Sequence, residues 1–62
     1  MKIVFYRTAV NASGDLYDAK LMSVEVDADT PEAQAIIFAT KQFETEMKVH
    51  RWQELAHDYR IE

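Results

Sequence analysis

Only one segment of the chain carries a long helical period, Asp29 to Lys48. A single helix has no second helix on which to bury its apolar stripe, so the remaining residues must supply a sheet for it to cover. At about 100° per residue, Ala33, Ile36, Ile37, Thr40, Phe43 and Met47 form the stripe, with Ala39 widening it. Gln34, Lys41, Gln42, Thr45 and Lys48 fall on the solvated side. Phe38 points away from the stripe, with Ala35 expected beside it on the outer surface. The start is marked chemically: Thr30 is placed to cap, and Pro31 falls at the first helical position, where its missing N–H costs nothing. Asp29 and Glu32 set negative charge at the positive end of the helix dipole, and Lys48 suits the other end.

The strands precede the helix. Lys2 to Val10 is β-branched and aromatic. Leu16 to Asp27 follows, and its later half alternates Met22, Val24, Val26 against Ser23, Glu25, Asp27. Asn11-Ala12-Ser13-Gly14-Asp15 between them holds the only glycine and reads as a turn, so the two strands form a hairpin. If Val10 faces Leu16, residues of equal parity share a face. Val4, Tyr6, Val10, Leu16, Met22, Val24 and Val26 are then expected under the helix. Ile3, Phe5, Ala9, Tyr17, Ala19 and Leu21 are expected on the far face, which is polar only at Ser23, Glu25 and Asp27. A far face that is half apolar calls for a covering second copy, partner or tail.

In the tail, His50 to Ala56 reads as a short helix or turn and Asp58 to Ile61 as a last strand; one extended strand from Arg51 onward is the alternative. The expected fold is α+β: a ββαβ chain whose three-stranded antiparallel sheet, in the order second, first, third strand, carries one main helix on one face. At 62 residues this is a single small domain, residues 1–62. Such a chain buries only about 60% of its unfolded surface. With no cysteine to form a disulfide, it is expected to lean on self-association.

Composition narrows the function classes. A net charge of −4, with its basic residues scattered, disfavours direct nucleic-acid binding and suits a protein partner. Arg7 interrupts the early apolar run before it could serve as a signal-peptide core, and no segment has the length of a membrane span, so a cytoplasmic protein is expected. One glycine cannot make a glycine-rich phosphate loop, and no cysteine, nucleophile elbow or carboxylate cleft offers catalysis. No enzyme, cofactor or metal is therefore expected. His50, Glu54 and His57 give the alternative of a small metal-binding protein or enzyme. However, two histidines two helical turns apart sit about 10 Å from each other and cannot share one ion.

The candidate partner residues are Phe5, Tyr17 and Leu21 on the half-apolar sheet face and Phe38 on the outer helix. Trp52 is read as core or core edge. Glu25, Asp27, Asp29 and Glu32 run from the second strand into the helix and form a candidate acidic partner surface. Alternate strand residues lie about 6.6 Å apart, near the spacing of phosphates along a nucleic-acid strand.

Two local stretches carry resemblances. Val24-Glu25-Val26-Asp27-Ala28-Asp29-Thr30-Pro31-Glu32-Ala33-Gln34-Ala35 resembles strand-to-helix junctions of many small domains. His50-Arg51-Trp52-Gln53-Glu54-Leu55-Ala56-His57-Asp58-Tyr59-Arg60-Ile61 resembles the endings of small uncharacterised bacterial and prophage proteins, a group that includes small phage inhibitors of host complexes. That resemblance implies a protein partner and transfers no functional residue. The expectation is a non-enzymatic protein–protein interaction module, homodimeric. The alternative is a phage-type, anti-CRISPR-like inhibitor presenting acidic residues to a nucleic-acid-binding host protein.

Overall fold

A computed structural model describes residues 1–62. Strand β1 (Lys2–Val10) pairs antiparallel with β2 (Leu16–Glu25) on one side and with β3 (Asp58–Ile61) on the other, giving the order β2-β1-β3. Helix α1 (Glu32–Met47) packs on one face, and a 3₁₀ turn at Trp52–Glu54 leads into β3. The fold is therefore the expected ββαβ arrangement. The tail is a turn and a short strand, not one extended strand from Arg51. No helix is long and apolar enough to cross a membrane.

The hairpin turn is built by its own side chains. Asn11 Oδ1 accepts the Ser13 and Asp15 backbone N–H groups, both at 2.9 Å. Gly14 sits at φ +84°, a left-handed conformation that a Cβ would strain. Val10 then pairs with Leu16, as the loop length implies.

The pairing changes partway along the hairpin. Tyr6 opposes Lys20, yet Phe5 opposes Met22, so Leu21 has no partner and is the extra residue of a β-bulge. An extra residue exchanges inside for outside on one strand relative to the other. Met22 and Val24 lie under the helix as their alternation demands, but they bring Phe5 and Ile3 with them. Val4 and Tyr6 go to the far face, followed by Val10 and Leu16. The expected face of β1 is thus corrected along its length. Phe5, expected at an interface, is fully buried in the core. The far face now carries Val4, Tyr6, Val10 and Leu16 among Lys2, Asp18, Lys20, Ser23, Glu25 and Arg60, with Val4 fully buried beneath its neighbours. It has the mainly polar character usual for the open side of an antiparallel sheet.

The core is Ile3, Phe5, Val24, Ala35, Ala39, Phe43 and Ala56, with Met22, Ile36, Met47, Trp52, Leu55 and Tyr59 packed around it. Four aromatic rings meet at its centre. Phe5 contacts Phe43, Trp52 and Tyr59, and Trp52 meets Tyr59 edge-on at 5.5 Å. Trp52 is therefore a core-edge residue. The buried helical residues Ala35, Ala39 and Phe43 recur every four positions. The stripe is rotated from the expected one: Ala33 and Ile37 are exposed, and Ala35 is buried instead of lying outside. Small alanines at the contact let the helix backbone approach the sheet closely, and an Ile37-centred stripe could not do so.

The helix ends also differ in detail. Helical geometry begins at Glu32, Pro31 is the capping residue, and no side chain caps the helix. Thr30 instead donates its backbone N–H to Asp27 O at 3.0 Å, as part of the turn after β2. At the other end Lys48 takes a left-handed conformation (φ 57°, ψ 45°), and the Lys48 and Val49 N–H groups both donate to Glu44 O. This is a Schellman-type stop without the usual glycine.

Candidate functional site: the hairpin arm and its free edge

Strand β3 pairs only with Ile3 to Tyr6, so it stops partway along β1. No residue of Arg7–Val10 or Leu16–Lys20 belongs to the core or to the apolar residues packed on it. The outer half of the hairpin is therefore a two-stranded arm, uncovered on both faces. It gives the molecule its elongated, flat outline of 42 × 24 × 14 Å. Val10 is 62% exposed and Leu16 71%, opposite each other at the tip. Tyr17 is 49% exposed on the helix side, beyond the helix's reach.

Two tail residues, His57 and Arg60, hold the base of the arm. The Thr8 N–H donates to His57 Nδ1 at 2.9 Å. Arg60 lies over the Tyr6 ring at 5.3 Å, and its Nη1 approaches Asp18 Oδ2 at 3.7 Å. Both charged groups are about half exposed, so the ion pair itself contributes little.

The direction of each backbone group on the arm follows from these bonds. The Asn11 N–H donates to Asp15 O. Paired positions then alternate, so Ala9–Tyr17 and Arg7–Ala19 exchange hydrogen bonds while Thr8–Asp18 and Tyr6–Lys20 do not. The Tyr6 carbonyl and Thr8 N–H accordingly turn away from β2, toward His57. By the same alternation, the backbone groups of Leu16, Asp18 and Lys20 turn outward along the unpaired edge of β2.

The other candidate residues fall into three places. Phe38, 52% exposed, forms one wall of a concavity of about 400 Å³ whose remaining lining is Glu25, Val26, Asp27, Thr30 and Gln34. The fold thus joins the exposed helix aromatic to two of the four acidic candidates, while Asp29 and Glu32 lie outside that lining. Leu21 is half-buried against the core edge, and Phe5 is inaccessible.

His50, Glu54 and His57 are not arranged as a ligand set, and no three His, Cys, Asp or Glu side chains converge. Glu54 Oε2 accepts the backbone N–H groups of His50 and Arg51 at 2.9 and 3.0 Å. These bonds, foremost that from Arg51, hold its carboxyl below the usual glutamate range. His57 Nδ1 is occupied by Thr8.

Two features go beyond the sequence expectations, and only one of them lacks a signal in the chain. Glu44 Oε2 accepts the Trp52 N–H at 2.9 Å and anchors the 3₁₀ turn to the helix, a contact with no local signature. The free arm does have one: β1 spans 9 residues and β3 only 4, so the outer part of β1 lacks a strand partner on that side.

No protein-family model, curated protein or solved structure matches the chain.

Proposed function

We propose that this chain is a non-enzymatic protein-interaction module that acts as a homodimer through its hairpin arm. The observation that carries this reading is the uncovered arm with Val10, Leu16 and Tyr17 exposed on it. A two-stranded ribbon standing alone is marginal in water, and a packed surface for its apolar tip would stabilise it. The dimer thus depends on the arm and not on the buried Phe5 face. Sedimentation equilibrium across protein concentration tests it. A reversible dimer is expected; a monomer up to roughly millimolar protein, where association free energy is about 4 kcal/mol, would end the reading.

A second reading rests on the Phe38 concavity. One aromatic wall with Glu25 and Asp27 beside it suits a Lys or Arg side chain of a basic partner, through ion pairing and the ring face together. A small phage-type inhibitor of a nucleic-acid-binding protein would present this surface. Salt-sensitive binding of such a protein, abolished by Phe38→Ser and weakened by Glu25→Gln, is the expected result. Binding indifferent to both changes would remove this reading.

A further inference from the structure

We infer that the partner on the free edge of β2 is a second copy of the same strand, paired antiparallel about a two-fold axis at Ala19. This rests on the homodimer reading above and specifies its register. The outward backbone groups of Asp18 and Lys20 are the donors and acceptors such a partner needs, and both residues are exposed. In a two-fold antiparallel pair whose axis crosses the sheet, each residue faces one of like parity. With the axis at Ala19, Asp18 stands opposite Lys20 of the second copy, and Lys20 opposite its Asp18. Both pairs exchange two backbone hydrogen bonds, and opposite charges meet twice.

Neighbouring registers lose this match. An axis at Asp18 sets two Asp18 carboxylates opposite each other, and an axis at Lys20 does the same with two ammonium groups. An axis at Tyr17 leaves Asp18 facing Leu16. A lysine on an edge strand ordinarily blocks strand addition, because an incoming strand must leave it unpaired. Here only a strand that brings an acidic residue opposite Lys20 neutralises it, and Asp18, two places before Lys20 in this same chain, is that residue. On the helix-side face the same register brings exposed Tyr17 against Leu21 of the second copy, at the edge of the other copy's core. Helix α1 covers the Met22–Val24 end of the sheet, whereas the axis lies on the arm.

Charge exchange tests the register. Asp18→Lys alone and Lys20→Asp alone should each weaken the dimer about tenfold or more, since two matched pairs become two repelling pairs. An equal mixture of the two variants should recover association as a heterodimer, because every cross-strand pair is again opposite in sign. Circular dichroism of each variant monitors folding, including the loss of the Asp18–Arg60 contact. The protein has no cysteine, so Ala19→Cys provides a second readout. It should oxidise readily to a disulfide-linked dimer, and Val10→Cys should not. Dimers that persist in both charge variants, or a mixture no tighter than its parts, would overturn the register and leave the dimer reading standing. A wild-type chain that stays monomeric at millimolar concentration would overturn both. An Ala19→Cys protein that remains reduced while the wild type is dimeric would place the contact away from this edge.

Discussion

Phe5 of β1 and Phe43 of α1 stack with ring centroids 4.4 Å apart and an interplanar angle of 27°, joining the central strand to the helix. Both are fully buried, and Trp52 and Tyr59 close the cluster around Phe5. Truncation of either ring removes one of the largest fully buried side chains of a small core and opens a cavity beside the remaining ring of the stack. Phe43→Ala should cost about 3–5 kcal/mol, enough to unfold much of the population of a domain this size. Urea denaturation followed by circular dichroism reads this directly. A loss below about 1 kcal/mol would mean the stack is not the centre of the core.

Lys48 is the one non-glycine residue with positive φ. A side chain in this conformation costs about 1–2 kcal/mol, and glycine avoids it at a smaller entropic cost. Lys48→Gly should therefore stabilise the protein by about 0.5–1 kcal/mol, seen as a higher denaturation midpoint at unchanged slope. A destabilised variant would show that the helix does not stop in this geometry.

Glu44 reaches from the helix to the Trp52 N–H, which starts the turn into β3. Glu44→Ala leaves that donor without its partner and should cost about 1 kcal/mol. Glu44→Gln keeps an acceptor and should cost less. Trp52 is the only tryptophan, so its emission reports the same contact: a red shift is expected in the alanine variant and a smaller one in the glutamine variant.

Glu54 supplies a pH dependence with a defined sign. Its carboxylate is favoured in the folded chain by the Arg51 and His50 backbone N–H groups, so its folded pKa lies below its unfolded value. A depressed acid binds more protons unfolded than folded. Its stabilising effect is full above the unfolded value and is lost as pH falls through the folded one. The side chain is solvent-exposed, so the effect is small and best read by NMR titration of the Glu54 carboxyl. A midpoint below that of an unstructured glutamate is expected. Glu54→Gln should flatten this part of the acid limb; an ordinary midpoint would mean the two backbone bonds are not made in solution.

Leu16 and Tyr17 separate association from folding. Each is exposed and lies outside the core, so Leu16→Ser and Tyr17→Ser should change stability of the isolated chain by no more than about 0.5 kcal/mol. Both should lower the dimer fraction in sedimentation experiments. Unaltered mass in both variants would place the contact elsewhere.

Much of the architecture is legible in the residues themselves. The helical period after Pro31, the Asn11–Asp15 turn and the alternation of Met22, Val24 and Val26 are local signals. Together they imply a hairpin, one helix and a short last strand; the short turn sets β1 beside β2, and the last strand pairs most simply on the other side of β1. Core membership on β1 is not local. Ile3, Val4, Phe5 and Tyr6 are apolar at both parities, so alternation cannot choose a face. Tertiary pairing chooses it, through the unpaired Leu21 that sets Phe5 against Met22 instead of Leu21. The helix shows the same limit: Ala35 and Ile37 are both apolar, and only close approach to the sheet selects the smaller one for burial.

The amino-acid pattern by itself determined which segments are strand and helix, because propensity, turn chemistry and hydrophobic period act within a few residues. Tertiary structure alone decided which rings meet in the core, which acidic groups gather beside Phe38 and which edge stays free. Those relations join residues far apart in the chain, and a single extra residue in one strand reassigns every side chain paired with it.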